Sequence, residues 1–300
     1  MAQELVRRYR TGERDFSGLE LSNIYLYWSC LIDINLSRAN LENANLEEAS
    51  LIYANLSRVN LEKARLSRAL LINASFSYAN LRNANLTDAD LTDANLTGAD
   101  LTGANLTGAV LSGANLSDAT LTQIETTEKT IFCKTIMPDG SLQSNATLAI
   151  DAQEFLRHYA TGQRNFQHIV LHREDLSGAD LRDVNLRGSH LSHVNLCGAY
   201  LAKSKFEKLI FCNLKYANLI GCDLDSTGFI YSDLRDAKLL GVKISYANFT
   251  GSNFQGANIR FGGIEGAFFL CNTTWNDGEF IAGPINADDH WSGPFIAEEF

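Results

Sequence analysis

Residues 79–103 read ANLRN ANLTD ADLTD ANLTG ADLTG, five consecutive five-residue phrases with Leu at the centre of each. The same spacing runs outward in both directions, with centres at Phe16, Leu21, Leu26, Leu31 and every fifth residue to Leu121. Two residues before the centre, from 39 to 119, stands Ala, with Val59 the one substitution. In an extended segment, residues two apart point the same way. Ala and Leu therefore face inward together, the Asn or Asp between them faces outward, and the remaining two residues turn a corner. A fixed short period marks a solenoid whose units bury their apolar faces only by stacking on one another. Five residues are too few for a helical repeat unit.

These runs resemble the pentapeptide-repeat family, and the likeness covers most of the chain. It implies an all-β fold, a right-handed quadrilateral parallel β-helix with four phrases per coil and the Leu side chains stacked in ladders. On that plan the centres from 16 to 121 give about 5.5 coils and, at about 4.8 Å per coil, a rod of roughly 26 Å.

The chain is built twice on one plan. ELVRRYRTGERDF at 4–16 returns as EFLRHYATGQRNF at 154–166, and the closing CKTIMPDG at 133–140 is paralleled by CNTTWNDG at 271–278. The expected organisation is a first repeat domain over 1–121 and a closing turn and linker over 122–153. A second repeat domain over 154–278 and an aromatic tail over 279–300 follow. Each opening phrase predicts a short amphipathic capping helix, because an uncovered β-helix end exposes unpaired strand edges. In the second body the step from Phe206 to Leu214 is eight, read as a three-residue insertion that bulges out at 208–213.

The composition, 25 basic against 35 acidic residues and net −10, comes without an apolar run long enough for a membrane span. The N-terminal MAQELVRRYR lacks the apolar core of a secretory signal. A cytoplasmic protein with no membrane insertion is expected. The six cysteines form no CxxC pair and read as small apolar fillers, not as disulfides or zinc ligands. No phosphate-binding glycine loop, nucleophile elbow or metal-ligand spacing is present, so neither enzyme chemistry nor a cofactor is expected. His158, His168, His172, His190 and His193 cluster within the second body, with His172, His190 and His193 on adjacent coils of one face. With no completing carboxylate or cysteine they are read as tolerated polar positions, a metal site or proton-sensitive surface being the alternative.

Two surfaces stand out. With twenty residues per coil, Ile32, Ile52 and Ile72 stack at the outward position after the centre, flanked by Tyr53 and Leu70, and predict an exposed apolar ladder that binds a protein partner. Tyr25, Tyr27 and Trp28 on the adjacent face extend it with residue types that dominate binding hot spots. The alternative site is acidic. Residues 83–128 carry Asp88, Asp90, Asp93 and Asp100 among seven acids and no Lys or Arg. The family resemblance implies a possible role for such a surface, since some members imitate B-form DNA and occupy DNA gyrase. The chain's interrupting arginines and two-domain plan depart from that group. Direct nucleic-acid binding is not expected, because it needs a basic track.

Overall fold

The computed structural model describes residues 2–145, 148–259 and 272–281. The chain divides into two compact units, Met1–Ala146 and Thr147–Phe300.

In the first unit each phrase from Leu21 to Leu116 is closed by a turn in which the amide three residues after the centre donates to the centre's carbonyl, as in Ala39 N to Leu36 O at 3.0 Å. The second residue after each centre has positive φ, for example Asn43 at 56° and Arg58 at 58°. That combination is the signature of a type II turn. Non-glycine residues adopt this conformation at some cost. They are held there because backbone bonds to the next coil fix both sides of the corner, such as Leu36 N to Asn55 O at 2.8 Å and Arg38 N to Ser57 O at 2.9 Å. Parallel bridges recur at a spacing of twenty residues, Asp15 to Asn35 to Asn55 to Ser75, on each of four faces. The product is a four-sided parallel β-helix.

The preference for Asn or Asp before the centre has a physical cause. The side-chain oxygen accepts from the amide two residues on, as in Asn55 Oδ1 from Ser57 N at 3.2 Å, which pins the corner. The Asn amide also donates to the coil below, Asn80 to Asn60 and Asn60 to Asn40, both at 2.9 Å. One side chain thus stabilises a turn and a coil-to-coil contact. Inside, the Leu and Ala columns from Leu21 to Leu116 are almost wholly solvent-excluded.

Each unit opens with a helix. Helix α1 (Ala2–Arg10) buries Leu5 and Tyr9 against the first coil. The Tyr9 hydroxyl donates to Ile32 O at 2.8 Å, and Arg14 lies 4.0 Å from the Tyr9 ring centroid while donating to Tyr9 O. The second unit repeats this arrangement. Asp151 caps α2 (Ala152–Ala160), accepting from Glu154 N at 2.7 Å, and Phe155 is buried in place of Leu5. Tyr159 donates to Arg182 O at 3.0 Å and Arg164 lies 3.8 Å from its ring. Closure also recurs. Strands β1 (Thr135–Ile136) and β2 (Leu142–Gln143) form an antiparallel pair after the last coil of the first unit. In the second unit, β9 (Thr273–Thr274) and β10 (Phe280–Ile281) do the same. Ile131 and Ile136 bridge to Val110 and Asn115, so the segment after Leu121 continues the first β-helix instead of leaving it at once.

The second body contains β3 (Val170–His172), β4 (His190–Ser192), β5 (Lys208–Ile210) and β6 (Gly228–Ile230) in one parallel sheet, followed by the parallel pair β7 (Lys238–Leu239) and β8 (Asn258–Ile259). The register corrects the expected insertion. Leu209 is itself a buried centre that pairs Leu191 below and Phe229 above. The eight-residue step is therefore a phrase shortened to three residues followed by a normal one, and that coil has lost two residues instead of gaining three. A phrase cut to three has no room for its corner turn. The expected centres Ile264 and Phe269, and the tail beyond Ile281, lie outside the described residues.

Candidate functional site

The isoleucine ladder forms as a column but not as an exposed one. Ile32, Ile52 and Ile72 are 1%, 0% and 0% exposed, although none belongs to the Leu/Ala core of the first unit. Their neighbours on the same face, Thr92, Ser112, Ser50 and Asp90, are buried as well, and Leu70 is half-buried. The side chains point away from the Leu core, as the two-residue alternation requires. These positions are buried all the same, so the direction in which a side chain leaves the backbone does not by itself set its exposure. The second unit has a similarly buried face in Val170, His172, His190, Ser192, Ile210 and Ile230.

The flanking aromatics are different. Tyr25 is 64% exposed, Tyr53 41%, and Tyr27 and Trp28 40% each. Tyr25 precedes and Tyr27 follows the buried Leu26, so both are directed outward, and their ring centroids lie 6.1 Å apart. Trp28 occupies the left-handed corner position, with φ 57°. Beside them, α1 and Tyr25 enclose a groove of about 470 Å³. Ala2, Val6 and Tyr25 supply its apolar lining, and Gln3, Arg7, Arg10 and Thr11 its polar lining. The groove depends on the cap helix lying next to the first coil and was not legible from the repeat pattern.

The acidic candidates are not brought together as one field. Asp90 is 1% exposed, with its Oδ1 accepting from Thr92 N at 3.2 Å and Thr92 Oγ1 at 2.7 Å. Asp100 is ion-paired with Arg82 at 3.0 Å. Burial works to raise the Asp100 pKa, but hydrogen bonds from Thr102 and Arg82 hold it below the usual carboxylate range. Asp93 is half-buried, and Asp88 alone of the four is fully on the surface. Cross-coil pairs also neutralise acids nearer the cap, Arg65 with Glu47 at 2.9 Å and Arg68 with Glu48 at 2.7 Å.

In the histidine cluster, His172 Nδ1 lies 2.8 Å from Ser192 Oγ. The His172 and His193 rings meet edge-on at 5.9 Å, and His193 stacks on Phe211 at 4.9 Å. These are packing contacts of the buried His172 with the half-buried His193 and Phe211. Among the described residues no group of His, Cys, Asp and Glu could hold a metal ion. Cys212 and Cys222 occupy Ala-type inward positions as expected, and burial pushes both thiols up to about 12. Cys30 departs from the reading of every cysteine as a simple filler, because it is disulfide-bonded. Among the described residues no helix is long and apolar enough to cross a membrane.

Comparison with known proteins agrees with this geometry. Eight copies of the family model for pentapeptide repeats match the chain, within 29–123 and 175–269. No curated protein matches it. Among solved structures, the chain is similar to HetL, a pentapeptide-repeat protein of Nostoc sp. strain PCC 7120 involved in heterocyst differentiation regulation. The identity is 25% over 93% of this chain and 98% of that one, with a TM-score of 0.30. It is also similar to Rfr23 of Cyanothece 51142, at 30% identity over 45% of this chain and 99% of that one, TM-score 0.31. QnrB1, a plasmid-mediated fluoroquinolone resistance protein, matches at 18% identity over 77% of this chain and 90% of that one, TM-score 0.33. With its twenty-residue coils, inward Leu and Ala columns and matching repeats throughout both units, the chain belongs to the pentapeptide-repeat family and has that family's right-handed quadrilateral β-helix fold.

Proposed function

We propose that this protein is a non-enzymatic interaction scaffold that binds a protein partner through the exposed part of its first β-helix, with Tyr25, Tyr27 and Trp28 as the principal contact. The observation that supports this reading is internal to the chain. The second unit builds the same cap on the same first coil, yet has Asp175, Ser177 and Gly178 at the corresponding positions. The architecture therefore does not need three large aromatic side chains there, and leaving them 40% to 64% exposed forgoes the stabilisation that burying them would give. Aromatic anchors of this kind carry most of the energy at protein interfaces. Tyr53 extends the surface, whereas Ile32, Ile52 and Ile72 lie buried and contribute no accessible area to it.

The test is partner capture with the wild type and with a Tyr25→Asp/Tyr27→Ser/Trp28→Gly variant, which installs the second unit's own residues. A partner held by the wild type and lost by the folded variant is the expected outcome. The same proteins retained by both would refute the assignment.

A further inference from the structure

The groove between α1 and Tyr25 carries a more specific reading, which rests on the partner-binding surface above. Four arginines lie in or next to the cap, and three are engaged within it. Arg7 donates to Glu4 at 2.7 and 2.8 Å, Arg8 pairs with Glu13, and Arg14 donates to Tyr9 O and covers the Tyr9 ring. Arg10 has no carboxylate partner among the described residues, is exposed, and lines the groove together with Ala2, Val6 and Tyr25.

Comparison with the second cap separates what the fold requires from what it does not. Tyr9, Arg14 and Phe16 recur as Tyr159, Arg164 and Phe166, with the same contacts in both units for the Tyr and Arg. Two groove residues change character. The aromatic wall Tyr25 becomes Asp175, and the uncompensated cation Arg10 becomes Ala160. An exposed guanidinium lining a groove with a tyrosine ring and Val and Ala side chains is chemically suited to one kind of guest, a carboxylate adjacent to an apolar side chain. The rest of the molecule favours the same placement. On a chain of net charge −10, an exposed cation without a carboxylate partner is a point at which an acidic segment is attracted.

We infer that the groove formed by Val6, Arg10 and Tyr25 is a docking site for an acidic protein segment that carries an apolar residue next to its carboxylates.

The experiment uses the full chain and a fluorescein-labelled short peptide alternating Glu with Leu and Phe, read by anisotropy against a counterpart with Lys in place of Glu. Saturable binding of the acidic peptide alone, weakening with added salt, is expected. Arg10→Ala and Tyr25→Asp, each the second unit's own residue and so compatible with a folded cap, should each weaken it by about tenfold, while Arg10→Lys retains part of the affinity. The proposal is overturned if the acidic peptide shows no saturable binding, if the lysine peptide binds equally, or if neither variant changes the affinity while circular dichroism shows both folded. Failure of this site is distinguishable from failure of the broader reading. Partner capture lost in the aromatic triple variant but retained in Arg10→Ala keeps the interaction surface and removes the acidic guest. Peptide binding with unchanged capture does the reverse.

Discussion

Ala94→Trp places an indole where the structure leaves room for a methyl group. Ala94 is 1% exposed. Its amide closes the turn by donating to Leu91 O at 3.0 Å, and its carbonyl accepts from Asn115 N of the next coil at 2.9 Å. Ala74 carries the same bond toward Asn95, also at 2.9 Å, so the backbone is tethered on both sides and cannot move outward without breaking coil-to-coil bonds. Inserting a few methylenes into a packed core costs about 1–3 kcal/mol, and an indole in place of a methyl belongs at or above the upper end. A cost of about 3 kcal/mol corresponds to a more than hundredfold rise in the population of locally open states. Hydrogen exchange read by mass spectrometry on peptides spanning 85–105 measures that rise directly, without confusion from the second unit. Arg82→Trp is the control. Its position is exposed, and the substitution removes only a surface ion pair with Asp100 worth about 0–1 kcal/mol. Equal protection in both variants and the wild type would refute the inward assignment of the Ala column and, with it, the four-sided packing.

The remaining predictions follow from the same geometry. Gly98→Ala should lower stability by about 1–2 kcal/mol, because its φ of 66° is unfavourable for alanine and the new Cβ would lie 2.5 Å from the Tyr78 ring; adding Tyr78→Ser should recover part of the loss in thermal unfolding, and no recovery would mean the ring is not the obstacle. Asp15 and Asp139, through hydrogen bonds from Ser17 and Ser141, are held below the usual carboxylate range, as are Asp175 by Ser177 and Asp180 by Arg182. A depressed folded-state value adds stability above the unfolded-state pKa that is lost as pH falls through the folded one, so the melting temperature should be level near neutrality and decline below about pH 4; a flat profile down to pH 2 would contradict those bonds. Native protein should leave Cys212 and Cys222 unreacted with a thiol reagent at pH 8 while the less buried Cys197 labels first; rapid labelling of Cys212 in folded protein would show that its inward position is wrong.

Much of the fold was legible because the information is local. The inward Leu and Ala, the outward Asn or Asp and the two capping helices all follow from alternation and the need to cover strand edges, whereas the bond by which Asn or Asp pins a corner and the anchoring of each cap by Tyr9 and Tyr159 came from the structure. The shortened phrase was misread for a definite reason. Periodicity alone gives eight residues between Phe206 and Leu214, and only the pairing of Leu209 with Leu191 and Phe229 shows that the coil lost two residues. The candidate site was legible in part. The exposed aromatics Tyr25, Tyr27 and Trp28 could be named from their residue types, whereas the groove with Val6 and Arg10 required the position of α1.

What the sequence by itself determined was the direction in which each side chain leaves the backbone, since a five-residue phrase with a turn at its end sets inward and outward positions within a few residues. What only the tertiary structure decided was which outward positions meet solvent. Ile52 and Tyr25 both point away from the Leu core, yet one is 0% and the other 64% exposed. Asp90 and Asp88 likewise occupy neighbouring acidic positions with opposite burial. Direction is a property of the local dihedral angles. Exposure is a property of everything that packs across a face, which the dihedral angles of one phrase do not specify.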